Sequence, residues 1–182
     1  QEGEEAFVQL FNNLADVNFN ADEIKLQHRE IGNIHYQAGD KVIKGPSIPR
    51  LNLEDIPSPY LMGLMDKFFD KNLAPMIHTT RGCPFKCTFC TEGNNYYNSV
   101  TQREMQLEEE LNYISQRIRG PQDLFLTDAN FGMFKNDYEK ARIMSDCQRK
   151  YGYPKNIFVS TGKNRKERVV DIVKILNGAV SM

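Results

Sequence analysis

The sequence predicts an α/β fold, with a parallel sheet built from about three strand–loop–helix units over residues 74–182 and a small α+β region before it. Three observations predict this. Short apolar runs at 76–80, 123–127 and 156–160 each lead into polar residues and then into an amphipathic helix. Four prolines fall within residues 45–59, a density of fixed φ angles and missing N–H donors that makes an extended linker. Three of the four cysteines crowd into the eight residues Cys83–Cys90, directly after the first of those apolar runs.

The elements follow in order. Ala6, Phe7, Leu10, Phe11 and Leu14 recur at helical spacing, and Glu4 and Glu5 suit the positive end of a helix dipole, so residues 4–14 read as a helix. A polar stretch comes next. Residues 31–43 read as a hairpin turning at Gln37-Ala38-Gly39-Asp40. After the proline-rich linker a short helix is expected from Tyr60 to Phe69. The strand at Met76–Thr80 runs into the cysteine loop, and residues 107–118 form an amphipathic helix. The strand Asp123–Thr127 ends in Asp128 and Asn130, and the helix at 136–150 has Asn136 or Asp137 as its cap. The strand Asn156–Ser160 ends in Thr161-Gly162-Lys163-Asn164. A helix at 167–176 is stopped by Asn177-Gly178, and residues 179–182 open a fourth strand. Strand, loop and helix repeated three times mean parallel strands joined by right-handed crossovers, with chemistry at their C-terminal ends. The cysteines, Asp128/Asn130 and Ser160/Lys163 would therefore share one face. Three units do not close a barrel, so the chain either stops mid-domain or borrows its other half.

Composition bounds the function. A net charge of -1 gives no whole-chain argument for nucleic acid or a membrane. The acidic opening (Glu2, Glu4, Glu5, Asp16, Asp22, Glu23) and the basic end (Lys163, Arg165, Lys166, Arg168, Lys174) read as solvated helix faces. No apolar run approaches the roughly 20 residues of a membrane span. The chain opens on Gln1-Glu2-Gly3 without a signal peptide or an initiator Met, which reads as a piece of a longer protein. The cysteine pattern is no disulfide scaffold, and a reducing, cytoplasmic compartment fits it better.

Three soft thiolates on one short loop can hold a metal or an iron–sulfur cluster and leave a coordination position open. Structural zinc would want a fourth ligand, for which His78 is the candidate. A plain electron-transfer cluster would want Cys147, which sits mid-helix near Ala141 and Met144, where a buried free thiol is the ordinary explanation.

The stretch Arg81-Gly82-Cys83-Pro84-Phe85-Lys86-Cys87-Thr88-Phe89-Cys90 resembles the cysteine loop of the radical S-adenosylmethionine (radical SAM) superfamily, with its Cys-x3-Cys-x2-Cys spacing and an aromatic before the last cysteine. The similarity extends to the cobalamin-binding branch through the acidic helix Glu2–Phe7, the hairpin 31–43 and the linker Leu51-Asn52-Leu53-Glu54-Asp55-Ile56-Pro57-Ser58-Pro59. The resemblance implies a partial TIM-like radical SAM barrel over 74–182, a Pro-rich linker with a short helix over 46–73, and the end of a preceding domain over 1–45. It implies that Cys83, Cys87 and Cys90 ligate a 4Fe-4S cluster whose fourth iron takes S-adenosylmethionine. Asp128, Asn130 and Ser160 would contact that cofactor, and Phe89 would lie near its adenine. Cobalamin would be held by a domain outside this chain, since the chain has no Asp-x-His-x-x-Gly motif. A flavodoxin- or ferredoxin-type reductant, a small-molecule or biosynthetic-intermediate substrate, and methyl transfer or another radical transformation complete what the resemblance implies. The rival is a non-catalytic module that binds zinc or carries electrons through an iron–sulfur cluster.

Overall fold

The computed structural model describes residues 3–103, 106–162 and 164–181. Glu2, Lys163 and Met182, which belong to the acidic opening, the basic end and the last expected strand, lie outside the described residues. The chain divides into two compact units, Gln1–Asn52 and Leu53–Met182.

In the first unit, helix α1 (Glu4–Asp16) carries Glu4 and Glu5 in its first turn, where the dipole favours them. The polar stretch after it contains an element that apolar spacing alone did not reveal, helix α2 (Ala21–Leu26). Asn20 caps it by accepting the Asp22 N–H at 3.1 Å. Strands β1 (His35–Ala38) and β2 (Lys41–Lys44) form the expected hairpin, antiparallel from His35↔Lys44 to Ala38↔Lys41. Gly39 supplies a positive φ of 60° at the first central turn position.

The second unit is organised by a four-stranded parallel sheet in the order β3 (Met76–Ile77), β6 (Asp123–Phe131), β7 (Asn156–Thr161), β8 (Val180–Ser181). Helices α3 (Leu107–Arg117), α4 (Asp137–Tyr151) and α5 (Lys166–Ile175) precede or connect these strands. Alternation decides the core. Leu124 and Leu126 of β6 and Ile157 and Val159 of β7 are buried, and they cluster with Leu111, Ile114, Ala141, Met144 and Ile172 of the helices. Each large side chain so buried contributes about 1.5–3 kcal/mol relative to exposure. On the opposite face Phe125 and Phe158 stack at 4.9 Å, and Phe125 stays partly open.

Two expectations change. Residues 60–69 form successive turns with only a short 3-10 segment, Asp66–Phe68. Gly63 adopts φ 71°, which interrupts the α-helical path that the spacing predicted. The first strand of this parallel sheet is also shorter than expected. β3 ends at Ile77, and Thr80–Arg81 (β4) pairs antiparallel with Thr101–Gln102 (β5) instead. The cause is a side chain: Asp128 takes the backbone N–H groups of Thr79 and Thr80, which draws the chain out of the parallel ladder. Among the described residues no helix is long and apolar enough to cross a membrane.

Candidate functional site

The cysteine loop begins and ends at the small β4–β5 ribbon, which closes its neck with the pairs Thr80↔Gln102 and Arg81↔Thr101. Two further bonds lock the neck, Cys83 N–H to Tyr97 O at 2.8 Å and Arg103 N–H to Thr79 O at 2.8 Å. Gly82 is required there. Its φ is 99°, and a Cβ would stand 2.6 Å from Ser99 O. Within the loop the Cys90 N–H reaches Cys87 O at 3.2 Å, and the Gly93 N–H reaches Cys90 O at 3.0 Å. A Cβ on Gly93 would lie 2.1 Å from Cys87 O, so only glycine lets the loop fold back against the second cysteine.

This folding brings the predicted site residues together. Cys83, Cys87 and Cys90 line one cavity of about 400 Å³ with Asp128, Asn130 and Ser160. Phe85, Glu92 and Thr127 also line it and were not singled out in the sequence. Phe89 does not line it and is 86% exposed. Cys83 is buried, Cys87 half-buried and Cys90 exposed, so the three residues differ in their access to solvent.

Asp128 and Asn130 are buried near the C-terminal end of β6, in the segment between Leu126 and Phe131 where its register with β7 shifts. The Asp128 carboxylate accepts the Thr79 N–H at 2.7 Å, the Thr80 N–H at 2.9 Å and the Thr79 hydroxyl. Asn130 directs its Nδ2 at the Cys83 Sγ, 3.1 Å away. Ser160 lies on the open side of β7 beside Phe158, at the cavity edge.

A buried ion pair reaches Thr80, at the neck of the loop. Lys140 Nζ lies 3.2 Å from Asp137 Oδ1 and 3.0 Å from Thr80 Oγ1. The other Asp137 oxygen accepts the N–H groups of Gly132 and Phe134, both at 2.9 Å. Asp137 therefore holds the turn ahead of α4, whereas Asn136, at the cap position, makes no side-chain cap bond. The charges of Lys140 and Asp137 were not read as site residues. The available signal was their place at i and i+3 on the stripe that continues through Ala141 and Met144, where a charged residue must be paired. The basic end is also not wholly solvated. Arg168 donates to the Met133 carbonyl and stacks over the Tyr138 ring with its guanidinium carbon 5.8 Å from the centroid.

The donor set can be tested against the group it would hold. A tetrahedral ion with metal–sulfur bonds of about 2.3 Å gathers its sulfurs tightly around one point. A four-iron cube takes each sulfur at a separate corner and spreads them more widely. Three thiols line one cavity, and soft thiolates are the donors that an iron–sulfur cube takes. His78 is half-buried and lies outside the cavity lining. Cys147 is buried between α3 and α4, with its sulfur 3.8 Å from Leu111 O, and burial raises its thiol pKa. It is a core thiol, remote from the loop.

No family model matches the chain. Individual proteins do. The cobalamin-dependent radical SAM methyltransferase TokK of Streptomyces tokunonensis is 32% identical over 157 residues, which is 82% of this chain and 23% of that protein. The 2-(S-pantetheinyl)-carbapenam-3-carboxylate methyltransferase of Streptantibioticus cattleyicolor is 32% identical over 187 aligned residues, 98% of this chain and 26% of that protein. Among solved structures, the cobalamin-dependent S-adenosylmethionine radical enzyme OxsB with aqua-cobalamin and S-adenosylmethionine bound superposes with a TM-score of 0.58 at 20% identity. That match covers 100% of this chain and 26% of OxsB. The apo form of OxsB gives a TM-score of 0.60 at 18% identity, covering 96% of this chain and 25% of that one. The chain thus spans about a quarter of the length of the relatives it matches. Taken with the three-cysteine loop that leaves β4, these relationships place the chain in the cobalamin-dependent branch of the radical SAM superfamily.

Proposed function

We propose that the chain is the part of a radical SAM enzyme that holds a 4Fe-4S cluster through Cys83, Cys87 and Cys90 and presents it to S-adenosylmethionine. The observation that carries this reading is the shared cavity, in which all three thiols meet the polar ends of β6 and β7. When bound, the cluster and S-adenosylmethionine supply reductive cleavage of the sulfonium and, with cobalamin held by a further domain, methyl transfer. The protein's own share is geometric. The β4–β5 ribbon fixes where the loop leaves the sheet, Gly82 and Gly93 set its path, and Asp128 anchors its first residues. Asn130 and Ser160 offer polar contacts to the cofactor at the cavity wall, and Phe89 offers an aromatic face at the loop surface.

In the same reading residues 74–182 are the first half of a TIM-like barrel, 46–73 the linker, and 1–45 the end of a preceding domain. The four parallel strands and the breadth of the match to longer relatives support this. The same reading takes a small biosynthetic intermediate as substrate, a flavodoxin- or ferredoxin-type reductant and a cytoplasmic location; the two curated relatives, named as methyltransferases, support the small-molecule substrate.

Anaerobic reconstitution of the chain with iron and sulfide tests the reading. Brown protein carrying iron and sulfide in equal amounts is expected, and Cys87→Ala should lose both. A colourless protein that takes up one zinc would overturn it in favour of a structural module.

A further inference from the structure

We propose that Asn130 is a positioning residue that tunes the reduction potential of the cluster by hydrogen-bonding to the Cys83 sulfur. This rests on the cluster reading above. The Nδ2–Sγ distance is 3.1 Å between residues 47 apart in sequence, each only 8% exposed. A neutral thiol is a weak acceptor, but an iron-bound thiolate carries negative charge and accepts strongly. Donation to that sulfur withdraws charge and favours the reduced, more negative state of the cluster. Cys83 is the buried member of the trio, whereas Cys90 is exposed, so a fixed dipole acts most strongly at Cys83, where water screens least.

The backbone that carries this amide is fixed on both sides. Asn130 lies two residues beyond Asp128, which is clamped by Thr79 and Thr80, and its backbone carbonyl accepts the Met133 N–H at 3.1 Å. The β6–β7 register shifts between Leu126 and Phe131, so the strand leaves its regular ladder over the segment that aims this side chain.

The test is a dithionite titration of the reconstituted chain, followed by electron paramagnetic resonance and run without S-adenosylmethionine, so that cofactor contacts do not enter. Asn130→Leu keeps the volume and removes the donor. It should hold the same iron and shift the one-electron reduction equilibrium about tenfold toward the oxidised state, ~59 mV lower. Asn130→Asp, which sets a carboxylate against the sulfur, should shift it further in the same direction, while Asn130→Ser, with a shorter donor, should fall between wild type and leucine. Equal potentials in wild type and Asn130→Leu would overturn the proposal and leave the cluster reading intact. Failure of all three variants to hold a cluster that wild type holds would also overturn it, making Asn130 a requirement of assembly rather than of potential. Failure of wild type itself to take up iron and sulfide would overturn the cluster reading instead.

Discussion

The Asp128 carboxylate accepts the Thr79 N–H at 2.7 Å, joining β6 to the residue where the chain leaves the sheet for the cysteine loop. It also takes the Thr80 N–H and the Thr79 hydroxyl, all within a buried setting. Replacing this group strands three donors, each costing about 1–3 kcal/mol when buried and unmet. Asp128→Ala is therefore expected to lose about 3 kcal/mol or more in urea denaturation. Thr79→Val, which removes one hydroxyl, should lose about 1 kcal/mol. A smaller loss for Asp128→Ala than for Thr79→Val would show that the clamp does not hold the neck.

Lys140 and Asp137 form an ion pair whose side chains are 5% and 1% exposed, and Lys140 also reaches Thr80. Removing one partner of a buried pair leaves the other charge uncompensated. Lys140→Met is expected to destabilise by about 3–5 kcal/mol. Two residues further along the same helix, Arg142 pairs with Glu139 in the open, at 65% and 67% exposure. Arg142→Ala should cost about 0.5 kcal/mol or less. Chemical denaturation of the two variants side by side reads the contrast, and equal losses would contradict the buried, paired setting of Lys140.

Three glycines separate loop shape from stability. Gly93→Ala would press a methyl group against the Cys87 carbonyl at 2.1 Å, and Gly82→Ala would do the same at Ser99 with φ at 99°. Both variants should lose iron uptake on reconstitution while keeping the far-ultraviolet circular dichroism of the sheet and helices. Gly39→Ala, in the hairpin turn with open space around it, should cost about 1 kcal/mol and leave iron uptake unchanged. Full iron loading of Gly93→Ala would show that the loop can take another path.

Much of this arrangement was legible in the residues. The parallel strands followed from three apolar runs and the helices between them, and the three cysteines, Asp128, Asn130 and Ser160 do meet at one cavity. What escaped was set by contacts distant in sequence. The β4–β5 ribbon joins two-residue strands some 20 positions apart, too short to carry a periodic pattern. The role of Asp128 depends on residues 48 and 49 positions away, which spacing cannot reveal. Residues 60–69 have helical spacing but meet Gly63 at positive φ, where tertiary packing outweighs pattern. Lys140 was hidden for a different reason: its type suggests a solvated face, and only its stripe position shows that it is buried.

Tyr153 provides the last prediction, on pH. Burial raises its hydroxyl pKa above the ordinary tyrosine range, with Tyr60, Cys147 and Asp123 adding repulsion. The folded chain thus holds this proton more tightly than the unfolded chain, whose tyrosines release it near about pH 10. The resulting stability is fully present below that pH and is lost as pH rises above it. Tyr60 acts in the same direction, chiefly through burial, although its bond with the Met76 backbone opposes the shift. Tyr153→Phe should leave stability near pH 8 almost unchanged, since among the described residues its hydroxyl makes one long bond, 3.4 Å to Asp123 O. Above about pH 10 the variant should fall less steeply than wild type, by up to about 1.36 kcal/mol per pH unit for the one proton removed. Urea midpoints measured from pH 8 to pH 11 read the two slopes, and parallel curves would mean that Tyr153 titrates in the folded protein as it does in the unfolded chain.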